Sequence, residues 1–133
     1  MPSGIPYQEA NEVLDLEAGT RYLAIATADP GQDKTALATE MPDADGYARQ
    51  VCTMPVASGT SGVVSSTDAQ AFTNTDTVNA WPNGTFFVLC DSATHGGSWI
   101  RKFELAAPFV VNPDSTNTVP AGAVQHEVPL ENA

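Results

Sequence analysis

Clusters of Gly, Pro, Asn and Asp recur along this chain and divide it into short segments of apolar residues. The segments with the composition and alternation of β-strands are residues 21–28, 47–54, 69–73, 85–90, 98–111 and 124–130. Short strands between regular turn signals, without a rhythm of alternating strands and helices, are typical of antiparallel sandwiches and barrels. We predict an all-β fold, an antiparallel β-sandwich of the jelly-roll type.

Two of these segments have the pattern of interior strands. In residues 21–28, Leu23 and Ile25 alternate with Tyr22 and three alanines, so both faces of the strand can be covered. Residues 85–90, TFFVLC, form the most apolar run of the chain. They are predicted to be a central strand.

The segment 98–111 also alternates along its length. The alternation places Trp99 and Phe103 on one face and Lys102 on the other, and the charged face is expected to meet solvent. Residues 112–122, rich in Pro, Asn and Gly, are predicted to be a loop.

Residues 1–20 are predicted to form a short helix or arm in front of a β-sandwich domain over residues 21–133. Pro6 suits a first helical turn, Gly19 suits a helix end, and early glutamates favour a helix N-terminus. The helix either caps the core of its own domain or docks on a neighbouring subunit.

The formal charge of −11, from sixteen acidic and five basic side chains, restricts the partners of the chain. Because it repels phosphate groups, we expect neither nucleic acid nor an anionic membrane as a partner. No apolar run has the roughly 20 residues needed to cross a bilayer, and the first residues lack a signal-peptide pattern. Synthesis in the cytoplasm is expected to keep Cys52 and Cys90 reduced, and a disulfide between them is the alternative.

The sequence contains no recognisable set of catalytic residues. It has no P-loop, no dinucleotide-binding fingerprint and no zinc-type cysteine pair. His95 lies in the turn THGG and His126 lies in the last strand, each without a carboxylate or nucleophile at a spacing that would orient it. We therefore expect no enzyme activity, no cofactor and no metal site.

Acidic residues cluster in two turns, Asp29 with Asp33 and Asp43 with Asp45. Carboxylates are calcium ligands, but these spacings match no EF-hand loop. Because Asp commonly bonds to the backbone of its own turn, turn formation is the preferred interpretation.

Three stretches follow one another along the chain: YLAIATADPG, DGYARQ and FFVLCDSATHGGSWIRKFELAAPFVVNPDSTNTVPAGAV. Their order, and above all TADPG followed by GYARQ at this separation, resembles a family of small structural proteins of tailed bacteriophages. The resemblance covers residues 21–128. Members of that family are described as tail-fibre, capsid-decoration or cement proteins, so the resemblance implies a virion component.

In the light of this resemblance, three residues of GYARQ are assigned structural roles. Gly46 permits the bend into the strand, Tyr47 packs at an edge of the core, and Arg49 pairs with an acid of the preceding turn, Asp43 or Asp45. An exposed ion pair stabilises by only about 0 to 1 kcal/mol, so a structural role predicts that Arg49 is partly buried. The alternative is a contact between Arg49 and another subunit.

The hypothesis from the sequence is a non-enzymatic capsid-decoration protein on the outer surface of a phage head, bound to the major capsid protein. We expect it to self-associate, as a homotrimer in the first place and as a dimer in the second. One alternative is a tail-fibre or baseplate component. The other is a carbohydrate-binding module that would use Trp81 or Trp99 as a stacking platform, although tryptophans beside strand ends more often cover a core.

Overall fold

The computed structural model describes residues 18–56 and 63–127, with the backbone alone at residues 126 and 127. These residues form strands and connecting loops, and no helix occurs among them. The strands are β1 (Gly19–Ala26), β2 (Gln50–Met54), β3 (Val63–Ser65), β4 (Gln70–Asn74), β5 (Gly84–Cys90), β6 (Arg101–Phe109), β7 (Ser115–Val119) and β8 (Gln125–Glu127). The prediction of an all-β, antiparallel fold is confirmed.

Four strands form the main sheet, in the order β2-β1-β5-β6. Tyr22 of β1 lies opposite Cys90 of β5, and Leu89 of β5 lies opposite Arg101 of β6. The strands predicted to be interior, β1 and β5, therefore occupy the two central positions. The remaining strands form two ribbons, β3 with β8 and β4 with β7.

The main hydrophobic core brings together one face of the four-stranded sheet and both ribbons. Leu23 and Ile25 of β1 share this core with Phe72 of β4, and the Phe72 ring meets Phe109 of β6 at 5.8 Å between centroids. Val64 of β3 belongs to the same cluster. The arrangement is that of a sandwich, whereas its jelly-roll connectivity stays a prediction.

A second, smaller core covers the opposite face of the sheet. Its buried members are Ala24, Ala26, Leu37, Val88, Cys90 and Trp99. The alanines of β1 present little side-chain volume here, so the loop that carries Leu37 can pack closely on the sheet. The prediction that β1 is covered on both faces is confirmed.

The prediction that Trp99 and Phe103 lie on one face of their strand is wrong. Trp99 belongs to the smaller core, whereas Phe103 packs against the main core. The reason is local: β6 begins at Arg101, and Trp99 lies in the turn before it, where its backbone N–H donates to the carbonyl of Lys34 at 3.0 Å.

Two element boundaries also differ from the prediction. Residues 112–122 were expected to be a loop but contain β7, whose outward positions are polar and whose Val119 is buried. Strand β2 begins at Gln50 rather than Tyr47, because its pairing with β1 starts at Gln50, opposite Leu23, and the N–H of Tyr47 donates instead to the carbonyl of Ala44 in a turn.

The helix predicted at residues 6–20 lies almost entirely outside the described residues. Of its residues, Gly19 and Thr20 belong to β1, so the strand begins before the expected boundary at Arg21. Within the described part of the chain, no helix is long and apolar enough to cross a membrane.

Cys52 and Cys90 lie on opposite faces of the four-stranded sheet. Cys52 is paired with Arg21 and Cys90 with Tyr22, and successive residues of a strand point to opposite faces. The sheet therefore separates the two thiols. Both are free and fully buried.

We expect the stability of the protein to decrease at alkaline pH because of these thiols. Burial raises the pKa of both to about 12, whereas an unfolded cysteine titrates near pH ~8.5. The contribution of the two thiols to the free energy of unfolding is fully present below the unfolded pKa of ~8.5. It is lost as the pH rises towards the folded pKa, because in this range only the unfolded chain releases the thiol protons. Urea unfolding followed from neutral pH to about pH 11 should show a shallower decline in a Cys52→Ala/Cys90→Ala variant. Equal declines would mean that the thiols ionise within the fold.

Candidate functional site

A buried ion pair joins Glu40 and Arg49. Arg49 Nη2 lies 2.9 Å from Glu40 Oε1, and Arg49 Nε lies 3.0 Å from Glu40 Oε2. The exposed fraction of the two side chains is 0% for Arg49 and 1% for Glu40. This is the planar, two-point contact that an arginine can make with a carboxylate and a lysine cannot.

The rest of the Arg49 guanidinium is bound by the turn between β5 and β6. Nη1 donates to the carbonyls of Ser92 at 2.8 Å and Ser98 at 3.2 Å, and Nη2 donates to the carbonyl of Gly97 at 3.1 Å. Together with the bonds to Glu40, these contacts use all five guanidinium donors. Arg49 therefore fastens this turn to the loop between β1 and β2.

Glu40 accepts two further hydrogen bonds. The hydroxyl of Tyr47 donates to Oε2 at 2.6 Å, and the backbone N–H of Gly96 donates to Oε1 at 2.7 Å. The Tyr47 oxygen in turn accepts the N–H of Ile25 at 3.1 Å. We call this set of Glu40, Tyr47 and Arg49, with the backbone of residues 92–98, the clasp.

The protonation states in the clasp are fixed by their surroundings. Burial, and then the neighbouring Glu40 carboxylate, raise the pKa of Tyr47 above its ordinary value. Burial alone would lower the pKa of Arg49, but its hydrogen bonds to Glu40 and the charge interactions with Cys90, Glu40 and Tyr47 together outweigh that effect and raise it. Tyr47 and Arg49 therefore keep their protons near neutral pH, and the clasp acts as a structural element rather than as a source of protons.

The predicted partner of Arg49 is wrong. Asp43 and Asp45 are exposed, and the carboxylate that Arg49 meets belongs to Glu40. An isolated β-bridge between Ala26 and Glu40 holds Glu40 beside β1, which brings its side chain into the interior. Because the Arg49 side chain has no exposed area, it offers nothing to a neighbouring subunit.

Trp81 and Trp99 are both buried, each with 4% of its surface exposed. Trp81 Nε1 donates to the carbonyl of Asp45, and its ring meets Tyr47 edge-on at 5.7 Å. Trp99 Nε1 donates to the carbonyl of Asp33 at 3.0 Å. Neither indole presents an open face to a sugar ring, so the stacking platform has no structural basis at these positions.

His95 belongs to the border of the clasp. Its Nε2 lies 2.7 Å from the carbonyl oxygen of Met41, and its ring meets Tyr47 edge-on at 6.0 Å. The side chain of His126 lies outside the described residues.

The described residues contain no group of three or more His, Cys, Asp or Glu side chains that could hold a metal ion. Asp29 accepts the N–H of Gly31 at 2.9 Å, and Asp33 accepts the N–H of Thr35 at 3.0 Å. These are the local turn bonds that the sequence indicated.

The clasp contains residues that the sequence did not single out. Glu40 is the most important of these residues. The sequence feature that could have identified it is an acidic residue within the otherwise uncharged stretch TALATEMP. Gly96 and Gly97 supply one donor and one acceptor. The sequence feature that could have identified them is the pair of adjacent glycines in THGG, because the backbone at glycine can approach other groups closely.

A sequence model of the family described as "Podophage GP4 fiber I protein gp80" matches residues 16–127. The match extends over all the strands described above and over both segments that the clasp joins. A comparison with curated proteins finds no match. The family match supports the predicted relationship to phage structural proteins. Because the match covers most of the chain, the protein belongs to the Podophage GP4 fiber I protein gp80 family of phage structural proteins.

Proposed function

We propose that this protein is a non-enzymatic structural component of a podophage fibre. The observation that carries the proposal is the family match over residues 16–127, whose description names a fibre protein. This is the alternative that the sequence placed second, and the family description favours it over capsid decoration.

The clasp supports a structural role. It fixes two long connections, the one between β1 and β2 and the one between β5 and β6, through contacts made by a single buried guanidinium. Loops that are pinned in this way offer a defined surface for assembly. The titratable side chains of the clasp are hydrogen-bonded to each other, so none of them is available to act in a reaction.

Capsid decoration is the second candidate. Its support is the formal charge of −11, which suits the outer face of a shell and keeps the protein away from the packaged nucleic acid. In that role the protein would bind the major capsid protein.

Labelling of purified particles would decide between the two positions. An antibody against the folded domain, visualised by electron microscopy with a gold conjugate, should mark the fibres. Labels distributed over the head would support capsid decoration instead. Particles from a phage that lacks the gene serve as the control for non-specific labelling.

We further propose that the protein forms a homotrimer, with a dimer as the second possibility, because repeated copies strengthen attachment to a symmetric site. Light scattering of the purified protein should give the mass of three chains, each of 13.9 kDa. A single chain at every concentration tested would contradict this proposal.

A further inference from the structure

Most of the positive charge of this chain lies around one cleft. The sequence contains five Lys and Arg residues, and three of them, Lys34, Arg101 and Lys102, line a cleft of about 190 Å³. Gly31 and Trp99 contribute to the same lining. We call this feature the cationic cleft.

Neighbouring groups hold the lysines of the cationic cleft in place. Lys102 Nζ donates to Asp29 Oδ1 at 2.7 Å and to the carbonyl of Gly31 at 3.1 Å. The ammonium of Lys34 lies 5.7 Å from the centroid of the Trp99 ring, within the distance of a cation–π contact. Asp29 and Asp33 lie close by and offset part of the charge, so the cleft is mildly positive in a protein that is otherwise strongly acidic.

Four aspartates gather where three turns meet. The N–H of Thr75 donates to the carbonyl of Asp45 at 2.9 Å, and the N–H of Asp114 donates to the carbonyl of Asp76 at 2.8 Å. Asp43 lies in the same turn as Asp45. Asp43, Asp45 and Asp114 are exposed, and Asp76 is partly exposed. We call these four residues the aspartate patch.

The cationic cleft and the aspartate patch lie near opposite ends of β6. Arg101 begins β6 and lines the cleft. Phe109 ends the strand, and soon after it the carbonyl of Val111 accepts the N–H of Trp81, whose indole donates to Asp45 of the patch. A strand of this length spans roughly 25 Å. The two oppositely charged features therefore lie near different ends of β6.

We propose that the cationic cleft of one copy binds the aspartate patch of a second copy, head to tail. The inference deepens the proposed self-association and rests on it. Two chains of charge −11 repel each other, and a contact between acidic groups of one and cations of the other reduces that repulsion. Contacts between unlike surfaces close into a ring when the rotation permits, and a ring of three is the homotrimer proposed above.

Charge reversal on each side tests this interface. Lys34→Glu should weaken self-association at least about tenfold, because it sets a carboxylate against the aspartate patch. Asp43→Lys should weaken it as well. The double variant Lys34→Glu/Asp43→Lys restores opposite charges across the interface and should recover much of the association. Light scattering at low salt gives the masses, and circular dichroism verifies that each variant is folded.

Mixing the two single variants distinguishes a contact between the cleft and the patch from a contact between two like surfaces. Lys34→Glu keeps an intact aspartate patch, and Asp43→Lys keeps an intact cationic cleft. Contacts between the two variants pair either the unaltered cleft with the unaltered patch or the two reversed charges with each other, so the mixture should associate where each variant alone does not. Gln125→Glu adds one negative charge at an exposed position of β8 and serves as the control, with association close to that of the wild type.

Several outcomes would overturn the proposal. Unchanged association of Lys34→Glu would do so, and so would a mixture that stays monomeric. A wild-type protein that is monomeric by itself but loses particle binding on Lys34→Glu would show that the cleft binds a different acidic chain. Gold labelling on the head rather than the fibres would refute the fibre assignment. It would not affect the mixing experiment, which tests this interface separately.

Discussion

Replacement of Arg49 by alanine should lower the free energy of unfolding by about 3 to 5 kcal/mol. The substitution leaves the Glu40 carboxylate buried at 1% exposure without a cation. It also removes the donor from the carbonyls of Ser92, Gly97 and Ser98. A loss of this size is a large part of the total stability of an ordinary domain, about 5 to 15 kcal/mol.

Arg49→Lys should cost less but still about 1 to 3 kcal/mol, because an ammonium keeps the charge and loses the planar contact. Chemical denaturation of the purified variants measures both effects. Lys102→Ala is the matched control, since it removes a partly exposed ion pair with Asp29 and should change stability by at most about 1 kcal/mol. Equal stabilities for Arg49→Ala and Lys102→Ala would contradict the structural role of the clasp.

Gly46→Ala should destabilise the protein by about 2 to 4 kcal/mol. Gly46 has a φ of +86°, and an added Cβ would lie 2.6 Å from the carbonyl oxygen of Thr73 and 2.8 Å from Cγ2 of Thr75. The backbone oxygen cannot move without disturbing the end of β4. Steric overlap therefore adds to the conformational cost of a left-handed residue.

Gly122→Ala separates these two contributions. Gly122 has a φ of +83°, but an added Cβ would meet no atom within 4 Å. This variant should lose about 1 kcal/mol, the conformational cost alone. Thermal melting of the two variants side by side measures the difference, and similar melting temperatures would show that Gly46 can be replaced without steric conflict.

The strands of the main sheet could be predicted from the sequence because their patterns are local. Leu23 and Ile25 alternate with alanines, and residues 86–90 are continuously apolar, so each segment indicates its own burial. Strand β7 could not be predicted in this way. Residues 115–118 are all polar, and their pairing with β4 depends on a partner that is far away in the sequence.

The clasp shows a different limit of sequence-based prediction. Arg49 was correctly expected to be at least partly buried, because an exposed ion pair stabilises a protein too little for a structural role. Its partner could not be identified, because Asp43, Asp45 and Glu40 are all close in sequence. The β-bridge at Ala26 brings Glu40 inwards, and this tertiary contact leaves no trace in composition or spacing.

The position of β6 at the border of the four-stranded sheet has a consequence for crowded assemblies. An outermost strand can recruit a strand from another molecule, and such growth leads to aggregation. Among the described residues β6 has no second partner strand, yet it carries Lys102, the exposed Glu104 and the exposed Pro108. Proline has no N–H to offer, and charged side chains oppose the approach of another sheet. We therefore expect many copies of this protein to be held close together on a particle without merging into continuous sheets.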